Sequence, residues 1–325
     1  MKVSYIIASA ALVFGVGATG ANAQEWPSAQ PVRLIVPFGA GGMLDAVARV
    51  VANGLQEKYG QSFVVENIAG ASGSLGANEV AQAEPDGYTL LFASQGPAAN
   101  AGNIFPDLPY DPLTDLTPIT NLYNIPPVLV TSAQFAPNSM QELIDYAKEH
   151  PHEVSAGHPG PGSFGQMSLL AMAEAADIEI NLVPYSNSTA GILADLLAGN
   201  IQIAADAIGG YIPNQREGNL KFLGVLTPER STSFPDIPTF TEQGVDLQAT
   251  LWSGLEGPAG MDPALVTQIN ADVTEILVND PRMKTVLDGG AAMAAPTTPE
   301  EYGQIIANEE AMWRPIIEKY SIRAR

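Results

Sequence analysis

A glycine-rich turn between an apolar run and an amphipathic segment is the part of this chain best suited to bind an anion. Val32–Val36 is predicted to be a buried strand, Gly39-Ala40-Gly41-Gly42 follows it, and a helix is expected from about Met43. Glycines allow close approach of the backbone, and the first turn of a helix has N–H groups without intrahelical acceptors. The helix dipole adds partial positive charge there. The turn is therefore either a site for a carboxylate or phosphate that needs no Lys or Arg, or an ordinary strand-to-helix connection.

A second glycine-rich turn, residues 157–165, contains the pattern G-x-G-x-x-G at Gly160–Gly165. The pattern follows a predicted strand and precedes a predicted helix, as in dinucleotide-binding sites. No acidic residue ends a strand about 20 positions later, and Asp177 comes too early, so we expect no dinucleotide and no other cofactor. What remains is a second helix N-terminus, with Ser163 as a hydroxyl donor.

The sequence lacks the groups that most catalytic and metal sites need. It has no Cys and three His, and no metal-ligand spacing is present. The serines form no G-x-S-x-G elbow, so a hydrolase is unsupported. Asp206 follows the predicted strand Ile201–Ala205; it either accepts from a ligand amine or hydroxyl or caps the next segment. The aromatic candidates for a cavity wall or for core are Phe38, Phe164, Tyr185 and Trp252, of which Trp252 is assigned to the core.

The N-terminus has the pattern of a cleaved export signal. Lys2 precedes the apolar run Tyr5–Val16, and Ala21-Asn22-Ala23 is an A-x-A site, so we expect cleavage after Ala23 and a soluble periplasmic protein. The alternative is a membrane anchor, for which the apolar run is short. The 325 residues include 14 basic and 35 acidic side chains, a net charge of −21, which argues against nucleic acid or an anionic membrane surface as partner.

Strands and helices alternate along the chain, which predicts an α/β protein with mostly parallel sheets flanked by helices. Asn100–Pro118 is expected to be irregular. The predicted strands are Val32–Val36, Phe63–Glu66, Thr89–Ala93, Ile119–Tyr123, Val128–Thr131, Glu153–Ala156, Asn181–Pro184, Ile201–Ala205, Lys221–Leu226 and Trp252–Glu256. The predicted helices are Leu44–Tyr59, Ser74–Ala83, Ser139–His150, Gln166–Ala176, Ala190–Ala198, Tyr211–Glu217, Pro263–Asn279, Pro281–Leu287 and Pro299–Tyr320.

Several separate motifs make the chain resemble one family of receptors. The run Pro31–Ser94, with PFGAGG, VVEN and PDGYTL in that order, resembles the opening of the solute-binding receptors of tripartite tricarboxylate transporters, also called Bug-type receptors. Four later segments agree with the same pattern: Asp111–Thr120, Leu182–Asp206, Pro235–Gly244 and Leu251–Gly260. The resemblance covers nearly all of the chain after residue 23.

The resemblance implies a two-domain periplasmic-binding-protein fold of the hinged, type II-like kind. The first domain would comprise residues 24–124 and 250–325, the second residues 125–249, with the ligand cleft between them. A ligand carboxylate would be held by backbone N–H groups of Phe38–Leu44 and Gly162–Phe164. By the same resemblance, Ser94 and Gln95 would line the cleft and Asp206 would contact the distal part of the ligand. The implied site residues are thus Phe38, Gly39, Ala40, Gly41, Gly42, Met43, Leu44, Ser94, Gln95, Gly162, Ser163, Phe164, Tyr185 and Asp206.

Two departures from the family pattern bear on the ligand. Leu44 stands where a small hydroxyl residue is usual, which would remove a donor and make the pocket more apolar. Tyr185 is followed by Ser186-Asn187 where Lys-Gly is common, which removes a cation. We therefore expect a monomeric receptor, not an enzyme, that captures a di- or aromatic carboxylate, without a metal, for the membrane subunits of a tripartite transporter. The alternatives are a sensory receptor and a periplasmic hydrolase or oxidoreductase.

Overall fold

The computed structural model describes residues 26–185, 189–231 and 234–323. The expected signal segment, residues 1–23, and Ser186-Asn187 lie outside these ranges. The described chain folds around two β-sheets, each covered by helices. We call the six-stranded sheet with its helices the first unit and the five-stranded sheet with its helices the second unit. No helix within the described ranges has the length and apolar character needed to span a membrane.

The first sheet combines a parallel half with an antiparallel half, in the order β11-β4-β10-β3-β1-β2. Strand β1 pairs in parallel with β2 and β3, which are linked by helical crossovers, whereas β10 runs antiparallel to β3 and β4. Its strands are β1 (Val32–Val36), β2 (Phe63–Asn67), β3 (Thr89–Ser94), β4 (Leu116–Ile125), β10 (Leu251–Pro258) and β11 (Met293–Ala294). Its helices are α1 (Met43–Tyr59), α2 (Ser74–Ala81), α3 (Ala101–Ile104), α8 (Pro263–Asn279), α9 (Pro281–Gly289) and α10 (Pro299–Lys319).

The second sheet repeats this mixture, in the order β7-β6-β8-β5-β9. Strand β6 is parallel to β7 and β8, and β5 is antiparallel to β8 and β9. Its strands are β5 (Pro127–Ser132), β6 (Ser155–His158), β7 (Asn181–Pro184), β8 (Ile203–Ala207) and β9 (Leu220–Val225). Its helices are α4 (Met140–Glu149), α5 (Phe164–Ala176), α6 (Thr189–Ala198) and α7 (Ile212–Arg216).

The expected α/β fold with two sheets is confirmed, but the sheets are mixed and not mostly parallel. The reason is the path of the chain between the units. It leaves the first sheet on β4, enters the second directly on β5, and returns on β10. A returning strand enters its sheet from the opposite end, so β10 runs antiparallel to β3. The helical crossovers, which make parallel neighbours, account for the other half of each sheet.

Three local expectations were wrong, and one strand was not expected. Asn100–Pro118 is only partly irregular: a π-helical turn at Gly96–Asn100 leads into α3, and β4 already begins at Leu116. Strand β6 lies two residues later than expected, and β11 was not expected at all. Strand β8 extends through Asp206 to Ala207, so this carboxylate belongs to the strand instead of following it. These segments are short or interrupted by Gly and Pro, and pairing with neighbouring strands decides their limits.

Helix α10 packs on both units. Near its start Tyr302 and Ile306 contact the core of the first sheet, whereas Trp313 and Ile317 lie in the core of the second unit. Its N-terminus is fixed by a capping box, in which Thr298 and Glu301 satisfy each other's backbone N–H groups. The helix therefore connects the core of the first unit with that of the second.

Candidate ligand-binding cleft

A cavity of about 620 Å³ lies between the two units. The strands β1, β2 and β3 end at its first wall, and β6 and β8 end at its second, so the carboxyl ends of parallel strands surround it. The residues that line it are Phe38, Gly39, Ala69–Gly73, Ser94–Gly96, Asn100, Ala101, Ile104, Phe105, Tyr123, Ile125, Pro159, Gly162–Phe164, Pro161, Met167, Asp206, Ala207 and Leu251–Ser253.

The first glycine loop is fixed by the carboxylate of Asp45. Its Oδ2 accepts from the Gly41 N–H at 3.0 Å and from Arg49, and its Oδ1 accepts from Arg49 and from the side-chain amide of Asn67. These contacts, chiefly that with Arg49, lower the pKa of Asp45 to about 2. Asn67 also donates to the carbonyl of Phe38 at 3.1 Å. The loop is therefore held in one shape before any ligand arrives.

Only the first part of this loop reaches the cavity. Phe38 and Gly39 line it, while Ala40, Gly41 and Gly42 lie on the exposed side and Met43 begins α1. No side chain caps α1, because its N-cap is Gly42, so the backbone N–H groups of its first turn have no intrahelical acceptor. The loop thus offers the cavity backbone and one aromatic ring.

The expectation that Leu44 makes the pocket more apolar is wrong. Leu44 is 8% exposed and packs with Val47 and Val51 in the core of the first unit. These three residues follow the i, i+3, i+7 spacing of one helix face, and that face is turned to the sheet and away from the cavity.

The second glycine loop closes the opposite wall through Gly162, Ser163 and Phe164. Ser163 is the N-cap of α5: its Oγ accepts from the backbone N–H of Gln166 at 3.3 Å, and the Gln166 side chain accepts from the Gly162 N–H at 2.8 Å. The Ser163 hydroxyl hydrogen is still available to donate. The N–H groups of Phe164 and Gly165, in the first turn of α5, have no intrahelical acceptor.

His158 supports this second loop from behind. The side chain is 2% exposed, and its Nδ1 lies within hydrogen-bond distance of both the carbonyl and the N–H of Gly160. Burial lowers the pKa of the imidazole, which favours the neutral ring. His158 does not line the cavity, so its place in the structure is that of a support for the loop.

A third glycine-rich turn, Ala69–Gly73, also lines the cavity and was missed as a site by sequence reasoning. Ala71 and Ser72 have positive φ angles of 46° and 54°, a backbone conformation that non-glycine residues rarely adopt. The turn leads from β2 into α2 and so repeats the strand, glycine turn and helix arrangement of the other two. The repetition is visible in the sequence, and it could have been used to assign Ala69–Gly73 to the site.

Behind the cavity, a buried carboxyl joins two tryptophans. Glu309 accepts from the indole of Trp252 at 3.3 Å and from that of Trp313 at 2.6 Å. Burial raises the pKa of Glu309 to about 7, against smaller lowering by its hydrogen bonds. Trp252 lines the cavity although it is only 4% exposed, and Trp313 meets the ring of Phe164 edge-on, with 5.8 Å between centroids. Glu309 therefore connects both walls through one helix.

Of the remaining expected residues, Ser94, Gln95 and Asp206 line the cavity. Gln95 is 6% exposed, and its amide donates to the carbonyl of Thr250 at 2.7 Å, which fixes the end of β3 to the returning chain. Tyr185 does not line the cavity. Its hydroxyl donates to Asp195 at 2.5 Å, and its ring packs in a separate apolar cluster with Ile192.

Asp206 faces the cavity from strand β8. Its Oδ2 accepts from the Thr189 hydroxyl at 3.1 Å, and its Oδ1 accepts from the N–H of Ala207 at 2.8 Å. Burial raises its pKa, and these two hydrogen bonds lower it by less. The sequence left two roles open for Asp206, a cap of the next segment and a contact with the ligand. Its hydrogen bond from Ala207 fits the first role, and its position in the cavity wall fits the second.

The electrostatic character of the cavity comes from backbone and not from basic side chains. Among the residues that the structure describes, its lining contains no Lys, Arg or His, and Asp206 is the one carboxylate. Within the described ranges, no group of His, Asp and Glu is arranged to hold a metal ion. An anion in this cavity would be met by the N–H groups of glycine-rich turns and helix N-termini, which are arranged on both walls.

Comparisons with known proteins agree with this architecture. The model of the family described as the tripartite tricarboxylate transporter family receptor matches residues 47–322. The chain is 34% identical over 301 residues to Protein BugT of Bordetella pertussis, covering 91% of this chain and 90% of that protein. The solved structure of R. palustris Rpa4515 with adipate has a TM-score of 0.78 at 31% identity, and the match covers 92% of this chain and 100% of that one. MatC from Rhodopseudomonas palustris with bound malate has a TM-score of 0.73 at 31% identity, and the match covers 89% of this chain and 99% of that one.

The resemblance inferred from the sequence motifs is thereby confirmed. The family match begins within α1 and runs beyond the end of α10, so it includes the second sheet, every strand of the first sheet except β1, and the helix that packs on both units. The two solved structures share the fold over nearly their whole length. The chain belongs to the tripartite tricarboxylate transporter receptor family, and it is a periplasmic solute-binding receptor of the Bug type.

Proposed function

We propose that this receptor captures a small di- or aromatic carboxylate in the cavity between its units and delivers it to the membrane subunits of a tripartite tricarboxylate-type transporter. The observation that carries the proposal is the N-terminus of α5, whose first-turn backbone N–H groups have no intrahelical acceptor and lie at a cavity without a basic side chain among its described lining residues. Such groups bind an anion without Lys or Arg, and their strength increases when closure excludes water. The related structures with adipate and malate support the same ligand class.

The apolar part of the lining supports an acid with a carbon skeleton of some size. Phe38, Phe105, Ile125, Phe164 and Met167 surround the space. Their side chains would contact the body of the ligand while the loops hold its carboxylate. A compact, highly charged acid such as citrate would leave further charges against this apolar wall, and burying such charges without partners costs free energy.

The remaining parts of the proposal concern the protein as a whole. The signal would be cleaved after Ala23 and the mature protein would be a periplasmic monomer. Its domains would follow the two sheets, with residues 24–124 and 250–325 in one and residues 125–249 in the other. The ligand would be released unchanged, since the described lining residues include no nucleophile paired with a base.

The binding proposal is tested by adding a negative charge to the first loop. A Cβ at Gly39 meets nothing within 4 Å, so Gly39→Asp fits sterically and places a carboxylate at the cavity. Gly289→Asp is the matched control, because a Cβ there is equally unobstructed and the residue does not line the cavity. We expect Gly39→Asp to weaken carboxylate binding by about tenfold or more, through charge repulsion.

Isothermal titration calorimetry with adipate, malate, benzoate and citrate measures this effect, and mass spectrometry of the recovered acid shows whether it was altered. Equal binding by both variants, or binding of none of the acids, would contradict the proposed anion site. Tightest binding of citrate would contradict the argument from the apolar wall, and a chemically changed acid would indicate an enzyme.

A further inference from the structure

The cavity wall contains one charged side chain, and that side chain is acidic. Asp206 is the only Asp, Glu, Lys or Arg among the lining residues of the described chain. A receptor for anions gains nothing from a carboxylate in its cavity, because the charge repels the ligand. A ligand that carries a positive charge beside its carboxylate would account for the position of Asp206.

Nothing in the described structure neutralises Asp206. It accepts one hydrogen bond at each oxygen, from Thr189 and from Ala207, and both donors are uncharged. No Lys, Arg or His of the described ranges lies within ion-pair distance of it, although Asp45 and Asp280 each have an Arg partner. Asp206 is only partly exposed, and a partly buried carboxylate without a cation is costly; a cation that arrives offsets this cost.

Asp206 also adjoins the turn expected to hold the carboxylate of the ligand. Strands β6 and β8 are parallel neighbours, and β6 leads into the loop that contains Gly162 and Ser163. The first turn of α5 packs closely on β8: a Cβ at Gly165 would lie 2.5 Å from the carbonyl oxygen of Ala205. Donors for a carboxylate and an acceptor for a cation thus lie side by side on the same wall.

We propose that the acid bound by this receptor also carries a protonated amino group, and that Asp206 accepts hydrogen bonds from it. The proposal rests on the proposed function and narrows its ligand class to amino acids with an apolar or dicarboxylate skeleton. The amino group supplies the positive charge that the cavity lacks, while the carboxylate meets the N–H groups of the α5 turn. Charge-assisted hydrogen bonds of this kind are about twice as strong as neutral ones.

Two sets of acids with matched skeletons test the proposal on the unmodified protein. Aspartate, malate and succinate differ by an amino group, a hydroxyl group or neither, and phenylalanine, phenyllactate and 3-phenylpropionate differ in the same way. In at least one set we expect affinity to fall from the amino acid to the hydroxy acid to the unsubstituted acid, by about tenfold or more overall. Calorimetry at constant pH and salt gives each dissociation constant.

The variant Asp206→Asn then assigns the effect to this carboxylate. It should weaken binding of the amino acid by about tenfold or more and leave the unsubstituted acid bound as well as before or better. Asp195→Asn is the matched control, because Asp195 lies in the same unit, accepts from Tyr185 and does not line the cavity. Thermal unfolding of both variants reports any loss of fold.

The outcomes separate this inference from the proposed function. If unsubstituted acids bind at least as tightly as amino acids in both sets, the role of Asp206 is refuted while carboxylate capture stands. If amino acids bind more tightly but Asp206→Asn leaves that preference unchanged, the assignment to Asp206 is also refuted. If no acid of either set binds, the proposed function itself fails.

Discussion

Single residues in this cleft act mainly by holding the backbone in place. Asp45 is 4% exposed and connects the Gly41 N–H, Arg49 and Asn67, so one carboxylate determines the shape of the first loop. Ser163 has a similar role at the second loop, where it caps α5. Because the ligand would be met by backbone N–H groups, residues that never touch it control its binding.

Replacing the Asp45 carboxylate should therefore affect both stability and binding. Asp45→Asn loses the ion pair with Arg49 and one acceptor, and we expect the free energy of unfolding to fall by about 1–3 kcal/mol. Carboxylate affinity should fall as well, since the Gly41 turn loosens. Arg33→Gln is the control: it breaks partly exposed ion pairs of β1 with Glu66 on β2 and with Glu79 on α2, and we expect a loss of less than about 1 kcal/mol in the free energy of unfolding.

Urea unfolding and calorimetry measure the two effects. Because the pKa of Asp45 is lowered in the folded protein, its contribution to the free energy of unfolding decreases at low pH. Its stabilising contribution is present above the ordinary pKa of 3.8 and is lost as pH falls through about 2. Equal ligand affinities for Asp45→Asn and Arg33→Gln would show that the loop does not depend on this carboxylate.

Residue types alone predicted the turns but not the direction of every side chain. The apolar run of β1 and the glycines after it indicated a strand, turn and helix N-terminus, because these depend on local sequence. Leu44 was assigned to the pocket by analogy, yet helix periodicity with Val47 turns it into the core. Tyr185 was misplaced for the same kind of reason, since its hydroxyl bonds Asp195 outside the cavity.

At the scale of elements, α10 is the part that links ligand contact to the arrangement of the units. Its early residues pack on the first sheet, its later residues lie in the core of the second unit, and Glu309 lies between them. Trp252 and Trp313 both donate to this carboxyl, and Trp313 contacts Phe164 in the cavity wall. A change at the wall therefore reaches the helix through two indoles.

We expect Glu309 to make both stability and tryptophan fluorescence depend on pH. Its pKa is raised from 4.5 to about 7, so its contribution to stability is present below pH 4.5 and is lost as pH rises through about 7. The loss should be on the order of 3 kcal/mol. Ionisation beside two indoles should shift their emission over the same pH range.

The variant Glu309→Gln keeps an acceptor but cannot ionise, so both pH dependences should flatten. Trp26 lies against Tyr59 and Phe63 on another face, and its contribution serves as an internal reference. Fluorescence titration and urea unfolding between pH 4 and 8 measure the effects. An unchanged pH profile in Glu309→Gln would show that another group titrates.

Contacts between residues far apart in the sequence, such as those of α10 with both units, could not be predicted from the sequence. The apolar face of α10 was visible, but which unit it would contact depends on how the sheets meet. The same holds for Trp252, assigned to the core from its residue type, which is both buried and part of the cavity wall. A cavity between two units is produced by their packing, and no local pattern encodes it.

For the whole molecule, the contact between Ile104 and Gly162 shows how closely the units approach. Ile104 belongs to α3 of the first unit but packs in the core of the second. A Cβ at Gly162 would lie 2.7 Å from its Cδ1. This glycine permits the close approach that encloses the cavity, and hinged closure around a ligand would depend on it.

Adding that Cβ should therefore hinder closure. In Gly162→Ala the new methyl group meets Ile104, and we expect carboxylate affinity to fall about tenfold. Gly218→Ala is the matched control: the φ angles are 73° and 77°, so the backbone strain is similar, but a Cβ at Gly218 meets nothing within 4 Å. The double variant Gly162→Ala with Ile104→Ala should recover part of the affinity.

Calorimetry gives the affinities, and small-angle scattering with and without ligand gives the change in the radius of gyration. Gly162→Ala should show a smaller ligand-dependent decrease than Gly218→Ala. Equal loss of affinity in the two single variants would attribute the effect to backbone strain and not to the contact between the units.

The described part of the cavity lining has no basic side chain, and this affects how the receptor responds to ionic strength. Mobile ions weaken attraction between exposed charges but hardly reach N–H groups enclosed in a cavity. The net charge of −21 repels anions at long range and slows their approach in dilute solution. Added salt would therefore speed association while leaving the bound complex almost as stable. A receptor built this way would capture its ligand best in saline surroundings.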